Sequence, residues 1–510
     1  MPVITLQLGQ CGNQLGCSFF HTLSAELSAN DYGYDAVNEY YRAGPDTTSG
    51  MYTARSVLID MEPKVVAGAR ASATASGSWW RYPSTGYLVM QSGSGNNWSQ
   101  GFHGYGPRVR DAALELVRRE VEAADCLNGF LLLQSMAGGT GAGLGTYVAQ
   151  ALRDEYHAAF ITNCCVWPHE SGEVIVQPYN TLFTLSHLSD LSDGIVLLEN
   201  EALHRTCAKL MGIARPSFAD MNGIAARALV SVLLPSQSRG SYRGGGHAPS
   251  PNRGGAGAGS AAGPVGSPEL QLPALRRTGG TAGRGVGSEG TAAGSEVAGP
   301  RFSSASAASC SPPNTSPLAD LVSHLCCHPA YRMLTLRAIP QMPPSSIDFT
   351  TFTWPAILKR LRQMFVTGSV LEEGMDWSVM PHSPASGSAA LGAGPRANRA
   401  VANWLVLRGQ GAGEVDVADF ADPALTAAWA VDPLSVSYNS SKFGRCLMSA
   451  SLLSNDRRCV GPIQRMLEHA YGMLESRAFV HQYETYGMGV SDFQACFARV
   501  EDIAQRYIQL

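Results

Sequence analysis

The sequence predicts an α/β protein: a parallel sheet with helices on both faces, then a second mixed α/β core and a closing pair of helices. Three observations carry this reading. Short apolar runs alternate with amphipathic stretches over the first 235 residues, the small-residue string "SMAGGTGAGLGT" (135–146) directly follows one such run, and two amphipathic stripes end the chain. At 510 residues the chain also exceeds the roughly 250 to 300 at which a single core stops growing.

Taken in order, "VITLQL" (3–8) is a buried strand, and after a glycine turn "GNQLGCSFFHTLSAEL" sets Leu15, Phe19 and Leu23 on one helical stripe. "RSVLID" (55–60) is a second strand. Pro107 opens a helix that aligns Val109, Ala113, Leu116 and Val121. "GFLLLQS" (129–135) is a third strand, running into the glycines and a helix from about Leu144. Strands near "NCCVWP" and "GIVLLEN" and a helix from about Phe218 to Leu234 complete a domain over 1–235. Residues 236–316 are nearly all Gly, Ser, Ala, Pro and Arg, too few large apolar groups to offset the entropy of ordering, which predicts a disordered insertion. A second domain over 317–455 takes the strands "MLTLRAI", "NWLVLRG" and "CLMSASLL" and the helix "FTWPAILKRLRQMF", interrupted by low complexity at 381–400. Residues 456–510 hold two helices, one presenting Ile463, Met466, Leu467, Ala470, Tyr471 and Leu474, the other Phe493, Cys496, Phe497, Val500 and Tyr507.

A net charge of -4, from 37 basic and 41 acidic side chains, gives no global attraction to nucleic acid. No run reaches the 18 or so apolar residues of a membrane span, and "MPVITLQLGQ" lacks signal-peptide regions, so a cytosolic chain without membrane insertion is expected. The 12 cysteines form no C-x-x-C pair, and the doublets at 164–165 and 326–327 read as small buried thiols.

A strand, a glycine-rich turn and a helix bring free backbone N–H groups and a helix dipole to one point, which suits a phosphate chain. Two common phosphate loops fail here. The P-loop needs Lys where Leu144 stands, and the dinucleotide fingerprint needs a last glycine where Leu144 or Thr146 falls.

The string instead resembles the phosphate loop of the tubulin and bacterial division-ring GTPase superfamily, usually GGGTGSG, with Ala137 for the first glycine and Ala142 for the serine. The resemblance implies that Ser135, Ala137, Gly138, Gly139, Thr140, Gly141, Ala142 and Gly143 surround phosphates. Other strings follow in the superfamily's order. "GQCGNQLG" (9–16) is similar to its first nucleotide loop and implies Gln10 and Cys11 beside phosphates and nucleoside. "DMEP" (60–63) puts Glu62 at the Mg²⁺ position, and "GSGNNW" (93–98) offers Asn96 and Asn97 to the terminal phosphate. "SGEVIVQPYN" (171–180) is similar to the ribose loop with Glu173 as its acidic contact, Gln177 standing where Glu is common. Asn200 and Asn222 match the guanine readers, and Phe218 replaces the usual Tyr while keeping a stacking face.

These matches imply a tubulin-like fold with an N-terminal parallel-sheet GTP-binding domain, and GTP or GDP with Mg²⁺ as ligands. "SMAGGTG", "DMEPKV", "GSGNNW", "GEVIVQ", "CAKLM" and "TTFTW" resemble the delta branch of the family rather than the alpha, beta or gamma types. That branch implies a cytoplasmic, cytoskeletal subunit at centrioles and basal bodies, building or maintaining triplet microtubules and hence cilia and flagella, with other tubulins or centriolar proteins as partners. The chain stops at "AQRYIQL" without a Glu-rich tail, and "QMPPSSIDFTTF" stands where the lateral-contact loop is expected, which sets it apart from microtubule-wall types. Counting back from "LCCHP" places Asp320 at the acidic position that reaches the next subunit's nucleotide, so a weak, assembly-coupled GTPase with a mainly structural role is expected; a dipole-favoured helix-start Asp is the other reading. The competing classes are another tubulin-type subunit, a division-ring-like GTPase and a nucleotide-dependent enzyme such as a dehydrogenase.

Overall fold

The apolar runs become strands, most of them buried on both faces, in a computed structural model that describes residues 2–44, 50–75, 79–172, 174–234, 236–241, 317–381 and 397–510. The N-terminal strands are β1 (Val3–Leu8), β2 (Tyr41–Ala43), β3 (Tyr52–Ala54), β4 (Ser56–Asp60), β5 (Trp80–Arg81), β6 (Tyr87–Val89), β7 (Gly129–Ser135), β8 (Phe160–Trp167) and β9 (Gly194–Glu199). Then come β10 (Gln237–Ser241), β11 (Met333–Ile339), β12 (Ala400–Gly409), β13 (Leu434–Asn439) and β14 (Met448–Asp456). The helices are α1 (Gly9–Ala29), α2 (Gly33–Tyr40), α3 (Pro63–Ala75), α4 (Gly106–Glu122), α5 (Gly145–Glu155), α6 (Gln177–Leu191), α7 (Asn200–Arg205) and α8 (Phe218–Leu233). They continue as α9 (Pro317–Leu325), α10 (Pro344–Ile347), α11 (Trp354–Thr367), α12 (Val460–Glu475), α13 (Val480–Glu484) and α14 (Val490–Ile508).

The main sheet runs β10-β13-β12-β14-β11-β9-β8-β7-β1-β4-β6. From β1 the chain moves outward through β4 to β6, then returns to β7 on β1's other side and continues outward through β8 to β9, all parallel. The order therefore reverses beside β1, and a crevice opens beyond the carboxyl ends of β1 and β7.

The second core does not build a separate sheet. Met333 pairs in parallel with Ile195 while Thr335–Ile339 pairs antiparallel with β14, so β11 joins both regions edge to edge. Most of the predicted insertion lies outside the described residues. Its first part departs from the expectation of disorder, because Gln237–Ser241 forms the edge strand β10 beside β13, where a polar run gains backbone pairing. The second low-complexity stretch lies mostly outside the described residues as well, and its last residue, Ala400, begins β12.

Three cores follow from the patterning. On one face α4, α5 and α6 meet the C-terminal helices, where Tyr179 and Phe183 each approach Phe493 edge-on at 4.8 Å. The stripes Ile463–Leu474 and Phe493–Tyr507 thus cover this face through α4, α5 and α6, each buried Phe contributing on the order of 2 to 3 kcal/mol. On the opposite face Leu15, Phe19 and Leu23 of α1 pack with Leu229 of α8 and Leu321 of α9. The third core sets Leu361 and Phe365 of α11 against Leu405 and Leu452. Arg408, buried on β12, donates to the carbonyls of Ser231 and Leu234 at 3.0 and 2.7 Å, satisfying the free end of α8.

Candidate nucleotide site

A cavity of about 1030 Å³ lies in the crevice that the strand order opens. Each of the six parallel N-terminal strands sends its following loop to it. Gln10 and Cys11 follow β1, Asp60 ends β4 and Glu62 follows it, Ser94 to Asn96 follow β6, Ala137 to Gly141 follow β7, Pro168, His169, Ser171, Gly172 and Val174 follow β8, and Asn200 follows β9. The start of α8 closes it with Phe218, Met221 and Asn222.

The glycine-loop end of the cavity is fixed by close packing of backbone. Gly9 has φ +71°, and a Cβ there would lie 2.7 Å from Gly141 N, so the first turn of α1 presses on the glycine loop. Gly139 is as confined: a Cβ would meet Ser94 Oγ at 2.5 Å and Asn97 O at 2.6 Å. The hydroxyls of Ser94 and Thr140 are 2.9 Å apart, and Ala137 N–H donates to Ser135 Oγ at 3.2 Å. Gly138 differs, since the nearest atom to its Cβ position is Asn96 Oδ1 at 3.6 Å and the rest opens to the cavity. Gly139–Leu144 turns as a π-helix before α5, so the predicted helix start at Leu144 is one residue early.

No Lys or Arg lines the cavity among the described residues. Anionic charge there must be met by N–H groups, by the helix starts at Gly9 and Gly139, and by a cation. Asp60 and Glu62 offer the carboxylates. Asp60 Oδ1 accepts from Glu62 N–H at 3.3 Å, whereas Oδ2 is buried with no partner. Burial pushes the Asp60 carboxyl up to about 6, the charge of Glu62 adding to the rise and two backbone N–H groups opposing it. Among the described residues no group of three or more His, Cys, Asp or Glu could hold a metal alone. Two carboxylates and an orphaned oxygen suit a cation whose remaining ligands are phosphate oxygens and water. Cys11 is no anion: burial pushes its thiol up to about 12, so it presents a neutral wall.

The far end is built from side chains. Phe218, the first residue of α8, is 57% exposed over the cavity. Its backbone is held by a capping box in which Ser217 N–H donates to Asp220 Oδ2 at 2.8 Å and Asp220 N–H to Ser217 Oγ at 3.3 Å. Among the described residues the carboxamides of Asn200 and Asn222 have no hydrogen-bond partner. Gln177 is occupied, donating to the His169 carbonyl at 2.6 Å and so pinning the loop after β8.

Of the residues named from sequence, Gln10, Cys11, Glu62, Asn96, Ser135, Ala137, Gly138, Gly139, Thr140, Gly141, Asn200, Phe218 and Asn222 meet around this one cavity. Three do not. Asn97 turns away, donating to the Gln482 carbonyl at 3.0 Å and accepting from Gln100 N–H at 3.1 Å. Ala142 and Gly143 are buried behind the loop, a Cβ on Gly143 falling 2.1 Å from Trp98 O, so their small size serves packing. Glu173 lies outside the described residues. Asp320 does not line the cavity: it stands in the first turn of α9, whose other end packs beside Gly194 at the start of β9, at the opposite end of the strands. Sequence reading passed over Asp60, Gln14, Ser94, His169 and His204 as cavity residues. Asp60, Gln14 and Ser94 stood inside the quoted "DMEP", "GQCGNQLG" and "GSGNNW"; the two histidines carried no signal of their own.

Residues 2–208 match the model of the Tubulin/FtsZ family, GTPase domain. The chain is 34% identical to the tubulin delta chain of Canis lupus familiaris over 522 residues, covering 100% of both. This chain belongs to the tubulin family. It is similarly 35% identical to the tubulin delta chain of Mus musculus over 522 residues, 99% of each. A tubulin beta chain of Pneumocystis carinii is 33% identical over 240 residues, 45% of this chain and 53% of that one. The tubulin GTPase domain carries guanine-nucleotide binding, GTP or GDP, and its match spans β1 to α7, the part of the fold that sends all six loops to the cavity. No described helix is long and apolar enough to cross a membrane.

Proposed function

We propose that this tubulin-family protein is a delta-type cytoskeletal subunit that holds GTP or GDP with Mg²⁺ in the cavity and serves centrioles and basal bodies. Similarity to delta chains along the whole length is the observation that carries the reading. Tubulin homologues indicate a cytoplasmic, cytoskeletal protein; building or maintaining triplet microtubules, and with them cilia and flagella, is the specific role inferred. Its partners would be other tubulins or centriolar proteins.

In this reading Asn200 and Asn222 offer donors and acceptors to the guanine edge, and Phe218 stacks on the base. The N–H groups around Gly138 to Gly141 face the phosphates, and Glu62 with Asp60 holds one side of the cation. Bound Mg²⁺ supplies neutralisation of phosphate charge. Glu173 is proposed for the ribose. Because Asp320 belongs to an element at the opposite end of the strands, head-to-tail stacking of subunits would bring it to a neighbour's nucleotide, where its carboxylate would orient water; hydrolysis by a lone subunit is then very slow.

The cellular reading is tested by locating a tagged copy and sectioning basal bodies in cells lacking the protein. Enrichment at centrioles and loss of triplets are expected; intact triplets with no enrichment would refute it. Phosphate release measured against protein concentration should rise more steeply than linearly and lose that excess in Asp320→Ala.

A further inference from the structure

The loop after β6 touches the cavity, yet much of its anchorage is provided by the segment between α12 and α14. Asn97 Nδ2 donates to the Gln482 carbonyl at 3.0 Å, and Ser99 Oγ lies 3.4 Å from the Tyr483 carbonyl. Between them stands Asn180 on α6, fully buried. Its Nδ2 donates to the carbonyls of Asn96 and Ala137, both at 2.7 Å, bridging the loop after β6 to the glycine loop. Its Oδ1 accepts from Trp98 N–H at 3.0 Å and from the Tyr483 hydroxyl at 2.7 Å. One carboxamide thus makes four bonds that tie two cavity loops to α13. Burial pushes the Tyr483 hydroxyl well above the usual phenol range, so it stays a donor.

Strand order says which part of a nucleotide these loops meet. The residues proposed to read the base follow β9 and open α8, at one end of the crevice; the carboxylates follow β4, and Ser94 to Asn96 follow β6, at the other. A Cβ on Gly93 would lie 3.8 Å from Glu62 Oε1, so the β6 loop adjoins the cation carboxylates. A nucleotide laid base-first along this row ends at the β6 loop. From this geometry we infer that Asn180 and Tyr483 are positioning residues for the terminal phosphate, so that α13, in the C-terminal helical region, sets the preference for the triphosphate over the diphosphate. The inference rests on the nucleotide reading above. Whichever nucleotide orders the β6 loop more must also order the segment 478–486 more, since the bonds are shared.

The test uses the full chain with Mg²⁺. Affinities for GTP and GDP are measured for the unaltered protein and for Tyr483→Phe, which removes one hydroxyl from a filled site. Amide hydrogen exchange over 478–486 is compared with a non-hydrolysable GTP analogue and with GDP. The expected result is slower exchange with the triphosphate, and a GTP-over-GDP preference lowered about fivefold by Tyr483→Phe with little change in melting temperature. An unchanged preference in folded Tyr483→Phe overturns the inference while leaving nucleotide binding intact. Should the variant not fold, equal exchange with both nucleotides in the unaltered protein overturns it. An unaltered protein that binds neither nucleotide removes the nucleotide reading and this inference together.

Discussion

The two ends of the cavity are built on opposite principles. At the end proposed for the phosphates, Gly9, Gly139 and Gly141 are locked against neighbouring backbone, so the position of the loop is set by packing. At the end proposed for the base, Asn200 and Phe218 open α7 and α8, Asn222 follows one turn into α8, and the two carboxamides have no partner among the described residues. Shape at the first end is inseparable from folding, whereas recognition at the second is separable from it. Substitutions should therefore divide the same way.

The largest effect should come from Gly143→Ala. Its methyl would sit 2.1 Å from Trp98 O, and the backbone cannot yield cheaply, so urea unfolding should show a loss of about 2 kcal/mol or more together with loss of nucleotide binding. Gly138→Ala sharpens the contrast within the same loop. With no atom closer than 3.6 Å it should leave stability within about 0.5 kcal/mol, yet weaken GTP binding by roughly tenfold by placing a methyl in the ligand's space. Equal stability for the two variants would break the claim that packing fixes the phosphate end.

At the base end Asn200→Ala should lower the preference for guanine over adenine by about tenfold without changing the unfolding midpoint. A preference that survives, or a protein that unfolds, would move recognition elsewhere. Asp60 makes the carboxylate end of the cavity sensitive to pH. Its carboxyl titrates near 6 in the folded chain, raised from the ordinary carboxylate range, so two opposite slopes follow. Without ligand, the stability due to this group falls as pH rises from about 4 to about 6, because the folded state holds the proton longer. Mg²⁺-dependent GTP binding should instead rise over the upper part of that range, by about fivefold, as the carboxylate becomes available; Asp60→Asn should flatten both profiles. The smallest effect is expected from Phe218→Leu, about threefold weaker binding of both GTP and GDP, since some apolar contact remains.

Much of this was legible in the chain. Continuous apolar runs such as "GFLLLQS" can be buried on both faces only within a covered sheet, and 3.6-period stripes such as Ile463–Leu474 must dock on something apolar. The family resemblance implied one ligand for residues as far apart as Gln10 and Asn222, and thirteen of those residues meet around one cavity. The strands and stripes are local signals written by hydrophobic periodicity, whereas the site residues are what the family resemblance implied. What they could not carry was direction. Asn96 and Asn97 are the same residue type side by side, yet one lines the cavity and the other bonds to Gln482, 385 positions away. Gly138 and Gly143 share one string, and only the packing of Trp98 separates a ligand contact from a structural one. The joining of β11 to β9 and the role of Asn180 depend likewise on partners distant in sequence. Periodicity fixes which residues are buried and which turns are tight; where a polar side chain points is decided by whichever donor or acceptor the folded chain brings within about 3 Å of it, and that is a property of the tertiary structure alone.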